Sequence, residues 1–301
     1  MNNSEQLRDV YRIVTNRIIE QLEKGVVPWR QLWTEAGLPQ NLITRKPYRG
    51  INTMLLASYN YERNFFLSFK QVSELGGKVK KGEKAQPVVF WNWVEQMNEE
   101  FGETEKIPFL KHYFVFNIAQ CEGIPEDKIP TVENRTHSPI DQCEEVITAM
   151  PQRPQIQFLR QKAFYQPFQD FINMPKKETF ECAEEYYGTL FHELVHSTGH
   201  HSRLNRKSLI EMSEFGSNAY SFEELIAETG ACYLTSHTGI ASKVFENSVA
   251  YIQGWLQVFK NNPKFIVQAS TQAQKAVDFI LNKIQQENEK QEEKVSKQTT
   301  N

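Results

Sequence analysis

Only four of the 301 residues are cysteine (Cys121, Cys143, Cys182 and Cys232), and no two stand in C-x-x-C spacing. That excludes a disulfide framework and a structural zinc ribbon. Cys182 and Cys232 fall within apolar helical patterns and read as core thiols. There is no apolar run of about eighteen residues and no amino-terminal apolar stretch ahead of a cleavage site. Neither membrane insertion nor secretion is expected, and the chain reads as cytoplasmic. Internal repeats are missing, and so is a strong net charge, which is −3. The charge is unevenly placed, however. Residues 40–90 hold nine Lys and Arg against three Asp and Glu, so the basic character belongs to the first half. The length admits two domains, and 40% hydrophobic content is enough to bury a core in each.

What the sequence does contain centres on residues 186–201, Tyr-Tyr-Gly-Thr-Leu-Phe-His-Glu-Leu-Val-His-Ser-Thr-Gly-His-His. Phe180, Ala183, Tyr187, Leu190, Phe191, Leu194 and Val195 recur at helical spacing, which predicts a helix capped by Thr179 and stopped near Gly199. In such a helix His192 and His196 stand one turn apart on one face, and two imidazoles so placed take up two corners of a zinc tetrahedron. Zinc acidifies a water toward neutral pH, so the adjacent carboxylate of Glu193 is the candidate general base.

A catalytic zinc needs a third protein ligand. A second predicted helix, Ser221-Phe-Glu-Glu-Leu-Ile-Ala-Glu228, places Glu224 and Glu228 on one face. Glu224 is the candidate ligand, with Glu228 holding a histidine from behind or substituting as ligand. A competing local reading stays open, because Ser221 and Glu224 also form a capping box. The metzincin pattern H-E-x-x-H-x-x-G-x-x-H fails at its last position, which is Ser202 here.

Along the chain, residues 5–24 form an amphipathic helix ended by Gly25, and Val26–Trp33 reads as an exposed aromatic corner. Short helices are predicted at 53–60 and 65–75. Strands follow at 87–94 and 111–117, with 95–106 as a polar hairpin loop. The first domain is thus α+β and closes at residue 123. Residues 124–140 read as a connector. The second domain, 141–284, has a helix at 141–150, a small sheet from 155–159, 163–166 and 170–173, the H-E-x-x-H helix, and amphipathic helices after it. Residues 285–301 form a polar tail, expected to be disordered.

Cations that track phosphates and aromatic faces that stack bases are the ingredients of single-strand binding. Trp29, Arg45, Lys46, Tyr48, Arg49, Asn52, Lys78, Lys80, Lys81 and Lys84 are candidate contacts, among further aromatics such as Trp33, Phe66, Trp91 and Trp93. The same residues also read as core aromatics and solvated turns, so composition leaves both open.

Three segments of the first half, Val26-Val-Pro-Trp-Arg, Pro47-Tyr-Arg-Gly-Ile-Asn and Gly76-Gly-Lys-Val-Lys-Lys-Gly-Glu-Lys-Ala, carry a resemblance. So do Phe191-His-Glu-Leu-Val-His-Ser-Thr-Gly-His, Arg203-Leu-Asn-Arg206 and Phe222-Glu-Glu-Leu-Ile-Ala-Glu228 in the second. Together they resemble the ArdC-type antirestriction family, whose amino-terminal domain is shared with TraC-type plasmid primases. The resemblance implies a single-stranded-DNA-binding domain joined to a zincin-like metallopeptidase domain, carried on conjugative mobile elements and protecting incoming DNA from host restriction. It implies zinc, or another divalent metal in its place. It also implies single-stranded DNA as partner, and a restriction enzyme or other DNA-bound protein as peptidase target. Asp170–Pro175 would be the edge strand bordering the cleft. The alternative is a binding module that shields single-stranded DNA and whose metal site is structural or vestigial.

Overall fold

The computed structural model describes residues 3–30, 37–97, 104–130, 138–210, 218–240 and 249–283. Trp33, the middle of the 124–140 connector and the tail from residue 285 lie outside them. The chain divides into two compact units, one from residues 1–133 with 246–267 and one from 134–245 with 268–301.

In the first unit, α1 (Asn3–Glu23) buries Val10, Tyr11, Val14, Ile18 and Leu22 along one stripe. Gly25 then takes a φ of 81°, left-handed backbone that favours glycine and turns the chain out of the helix. Next come β1 (Gln40–Asn41), α2 (Ile51–Ala57), β2 (Phe65–Ser68), α3 (Phe69–Glu74), β3 (Lys78–Val79), β4 (Gln86–Met97), β5 (Thr104–Asn117) and β6 (Cys121–Glu122). Four strands form one sheet in the order β1-β2-β5-β4, and β3 pairs with β6.

Two predicted elements change here. The helix predicted over 65–75 begins instead as strand β2, because Phe65, Phe66 and Leu67 are all buried between β1 and β5, and a strand covered on both faces reads as a continuous apolar run. The helix starts only after Ser68, whose hydroxyl caps Gln71 in a reciprocal capping box. Half of the polar loop predicted over 95–106 is paired: β4 and β5 stay in register out to Met97 opposite Thr104, and residues 98–103 lie outside the described residues.

The aromatic corner is also corrected. Trp29 is fully buried, its ring edge-on to Trp255 and Phe259 at 5.7 Å each and its indole N–H donating to the Tyr251 hydroxyl at 3.2 Å. Those three partners lie on the helix Val249–Asn261, which groups with the first compact unit.

The second unit contains α4 (Pro139–Ala149), β7 (Gln155–Gln157), β8 (Phe164–Gln166), β9 (Phe171–Asn173), α5 (Ala183–Ser197), α6 (Lys207–Ile210) and α7 (Asn218–Thr238). The helix Val249–Asn261 is α8, and α9 (Phe265–Ile280) follows. The three short strands run in the order β7-β9-β8, so β9 is the central strand and not the expected edge. Its backbone is engaged on both sides, so a peptide has no row of open groups to pair with there. Buried Asn173 locks the preceding loop, accepting from the N–H groups of Leu159 and Arg160 and donating to the Arg160 and Lys162 carbonyls. No helix of the described residues is long and apolar enough to cross a membrane.

The start of α5 also differs from the prediction. Thr179 closes a single 3-10 turn, Phe180 is extended, and the helix begins after Cys182. The carboxylate of Glu185 reaches back to the Glu181 N–H at 3.1 Å.

Candidate functional site

Helix α5 holds the two histidines as their spacing predicts. Their Nε2 atoms stand 3.0 Å apart, with the rings edge-on at 4.7 Å. Helix α7 packs across α5, and Gly230 lets it come close: a Cβ there would fall 2.8 Å from Cγ2 of Val195. From α7, Glu224 Oε2 lies 3.6 Å from His192 Nε2, and Oε1 lies 3.5 Å from His196 Nε2. Ligands at about 2.0–2.1 Å from a tetrahedral ion stand roughly 3.3–3.4 Å from one another. The two Nε2 atoms, each facing a different oxygen of Glu224, therefore converge at close to that spacing, and two imidazoles with one carboxylate are a donor set that suits zinc and other divalent first-row ions.

The capping reading of Glu224 falls away, since α7 is already helical from Asn218 and Ser221 sits inside it. Glu228 lies one turn further along and is not part of the converging group. For His196, support of the kind expected of Glu228 comes from Glu223. This fully buried carboxylate lies 3.4 Å from His196 Nδ1, the ring nitrogen facing away from the donor cluster. Glu223 is in turn held by Arg206, whose guanidinium donates to both carboxylate oxygens, to Thr198 Oγ1 and to the Val195 and His196 carbonyls. Ser208 Oγ adds a bond of 2.6 Å. Arg206 fits only because Gly199 has no side chain, a Cβ there falling 2.9 Å from Nη2.

Burial pushes Glu223 up, but the hydrogen bond to His196 and the charge and hydrogen bonds of Arg206 more than reverse this and hold it at about 2. Burial likewise raises Glu224, and hydrogen bonds to His192 and His196 bring it well below the usual carboxylate range. For His196, burial acts downward; hydrogen bonds to Glu223 and Glu224 and the charges of Glu223 and Glu193 outweigh it and raise the imidazole to about 10. The cluster favours positive charge between these side chains, which is what a cation supplies. Glu193, 8% exposed, follows His192 directly, and Tyr220, one turn before Glu224, hydrogen-bonds that carboxylate. A second staple anchors the loop after α5. Arg203 donates to the Ser197 and Gln152 carbonyls, to Tyr165 and to Asp170.

The nucleic-acid candidates have different surroundings. Trp29 is core. Asn52 is spent on the open edge of β4, its Oδ1 accepting from the Val89 N–H at 2.8 Å and its Nδ2 donating to the Val89 carbonyl at 2.7 Å. That covers part of the strand edge and engages both ends of the amide in the fold. Arg45, in left-handed backbone, donates to the Lys128 carbonyl and lies over the Phe65 ring. Lys78 pairs with Glu122 and Lys80 donates to the Ala119 carbonyl. Tyr48 is half-buried, edge-on to Phe66 with its hydroxyl buried. Lys46, Arg49, Lys81 and Lys84 are exposed cations. Four exposed aromatics, Phe90, Trp91, Tyr113 and Phe114, lie on β4 and β5, and Phe69 is exposed on α3; of these only Trp91 is among the aromatics named from the sequence.

Residues 8–116 match the N-terminal domain of the anti-restriction factor ArdC, and residues 141–272 match a zincin-like metallopeptidase domain. The chain is 38% identical to the crystal structure of the antirestriction ArdC protein from the R388 plasmid in its metal-free form, over 90% of this chain and 96% of that one, with a TM-score of 0.71. The Mn(II)-bound structure of that protein is 36% identical, with 90% and 97% covered and a TM-score of 0.70. A DNA primase TraC of Escherichia coli is 31% identical over 92% of this chain, which spans only 27% of that primase.

Proposed function

The chain belongs to the ArdC antirestriction family, and from that premise we propose that it binds single-stranded DNA through its first unit and cleaves peptide bonds at the metal centre of its second. The observation that carries the peptidase reading is the convergence of the His192 and His196 Nε2 atoms with the two oxygens of Glu224, at contacts of 3.0–3.6 Å, with buried Glu193 beside them. A divalent ion held by the trio supplies Lewis acidity, polarising a peptide carbonyl and lowering the pKa of water. Glu193 takes a proton from the attacking water and delivers it to the departing amine. Glu223, fixed by Arg206, holds the His196 ring so that Nε2 faces the cluster. A site that only stabilised the fold would need no carboxylate in the position of Glu193.

The target consistent with a DNA-binding unit on the same chain is a protein bound to the entering strand, and protection from restriction is the outcome. Replacing Glu193 by Gln keeps the shape and the metal ligands but removes the base. The expected result is unchanged metal content with loss of protection of incoming DNA. Protection that persists in the variant assigns the effect to shielding of the strand and refutes the peptidase reading. For the first unit, affinity for an oligonucleotide falls linearly with the logarithm of salt concentration, with a slope of about −0.7 per phosphate neutralised. Salt-independent binding contradicts that part.

A further inference from the structure

The reading of the first unit as a single-stranded-DNA binder leaves open where the bases lie, and the candidate cations alone do not say. The sheet does. β2 backs β5 only at Val115–Asn117, whereas β4 and β5 stay paired out to Met97 and Thr104 as a two-stranded arm. Such a ribbon has two faces, and register assigns its residues to them. Gln86 opposite Val115, Val88 opposite Tyr113 and Phe90 opposite Lys111 share one face. Its inner end is core, with Val88 and Val115 packed against Leu56 of α2 and Phe66, and Tyr48 and Tyr61 flanking them.

The cover stops one step further out. Phe90 and Tyr113 are 42% and 40% exposed, diagonal neighbours with ring centroids 5.9 Å apart. Lys111 stands on the same face directly opposite Phe90 and is exposed. Tyr48 lies against Tyr113 on the inner side, and it brings with it the exposed cations Arg49 and Lys46. The opposite face is different. Trp91 and Phe114 are exposed there but are opposite Leu110 and Pro87, four pairings apart. No Lys or Arg occurs on that face among residues 87–91 and 110–114.

We propose that the face carrying Phe90 and Tyr113 is a base-stacking platform for single-stranded DNA, with Lys111, Arg49 and Lys46 receiving the flanking phosphates. Two adjacent exposed rings are costly in water unless something planar covers them, and the surrounding charge selects a polyanion. Residues 40–90, with nine Lys and Arg against three Asp and Glu, extend that positive field.

The test uses the full chain, a fluorescently labelled oligothymidylate and anisotropy titration over a range of salt. Phe90→Leu and Tyr113→Leu keep apolar bulk but remove the ring. Each is expected to weaken binding roughly 5- to 150-fold, the loss of one base–ring stack, without changing the salt slope. Lys111→Gln is expected to reduce the slope by about 0.7. Trp91→Leu, on the other face, is expected to bind as wild type. If wild type binds while Phe90→Leu and Tyr113→Leu bind equally well, the platform is wrong and the DNA reading survives. Loss at Trp91→Leu in place of Phe90→Leu moves the bases to the other face and also overturns the proposal. A wild-type chain that does not bind the oligonucleotide overturns both.

Discussion

Replacing Arg206 by methionine removes the centre of the network behind the metal site, and the structure sets the size of the effect. Arg206 is 5% exposed, and its partner Glu223 is 0% exposed. The guanidinium satisfies Glu223 and donates also to Thr198 and to two carbonyls in the last turn of α5, reinforcing the short cap bonds those carbonyls accept from the Thr198 and Gly199 N–H groups. Breaking a buried ion pair by deleting one partner costs about 3–5 kcal/mol, because the other charge stays buried alone. Glu223 keeps Ser208 and His196, so the lower half of that range is expected. The assay is urea unfolding with chelator present, so that metal binding does not add to apparent stability. It is followed by far-ultraviolet circular dichroism, since the second unit's segments contain no tryptophan. Adding Glu223→Leu removes the stranded charge and should restore part of the loss, while metal affinity stays reduced by about 10–100-fold because His196 is no longer held. A loss below about 1 kcal/mol, as for a solvated pair, refutes the reasoning; so does a double variant as unstable as the single one.

Trp29→Ala should destabilise the first unit by about 3–5 kcal/mol in urea, since a fully buried indole packed on Trp255 and Phe259 is lost, while affinity for oligonucleotide in the folded protein stays at the wild-type value. Loss of DNA affinity in a stable Trp29→Ala protein would return that ring to the binding surface. Burial raises Asp170, but hydrogen bonds from Arg203 and Tyr165 and the charge of Arg203 outweigh this and lower it below the ordinary 3.8. Its contribution to stability is therefore fully present above pH 3.8 and is lost as pH falls through the lower folded-state value. The difference in urea midpoint between wild type and Asp170→Asn should stay constant from pH 7 to about pH 5 and narrow only in stronger acid. Narrowing already between pH 7 and 5 contradicts the assignment.

What the sequence made legible was local. The α1 stripe, the α5 helix with its two histidines, and the strand segments at 87–94 and 111–117 follow from periodicity and composition within a few turns of chain. What it hid depended on partners distant in sequence. Val26-Val-Pro-Trp-Arg looks like an exposed corner until a helix 222 residues later supplies Tyr251 and its neighbours and encloses Trp29. Phe65–Leu67 looks helical until β1 and β5 flank it. β9 could be given an edge or a central place only from its pairings, which carry no local signature. In the site, helical spacing put Glu224 and Glu228 on one face. The crossing of α5 and α7 and the arrival of Arg206 from the intervening loop decided that Glu223, the neighbour of Glu224, meets His196. The pair Phe222-Glu-Glu-Leu225 was visible; which of its carboxylates faced which histidine was not.

Metal content is the most direct test of the central claim, that two imidazoles from α5 and one carboxylate from α7 hold a divalent ion. After equilibration with zinc or manganese and exhaustive dialysis, wild type should retain one ion per chain, and so should Glu228→Ala. His192→Ala, His196→Ala and Glu224→Ala should each lose it. Retention by Glu224→Ala together with loss by Glu228→Ala, or a wild-type chain that keeps no ion, contradicts the account.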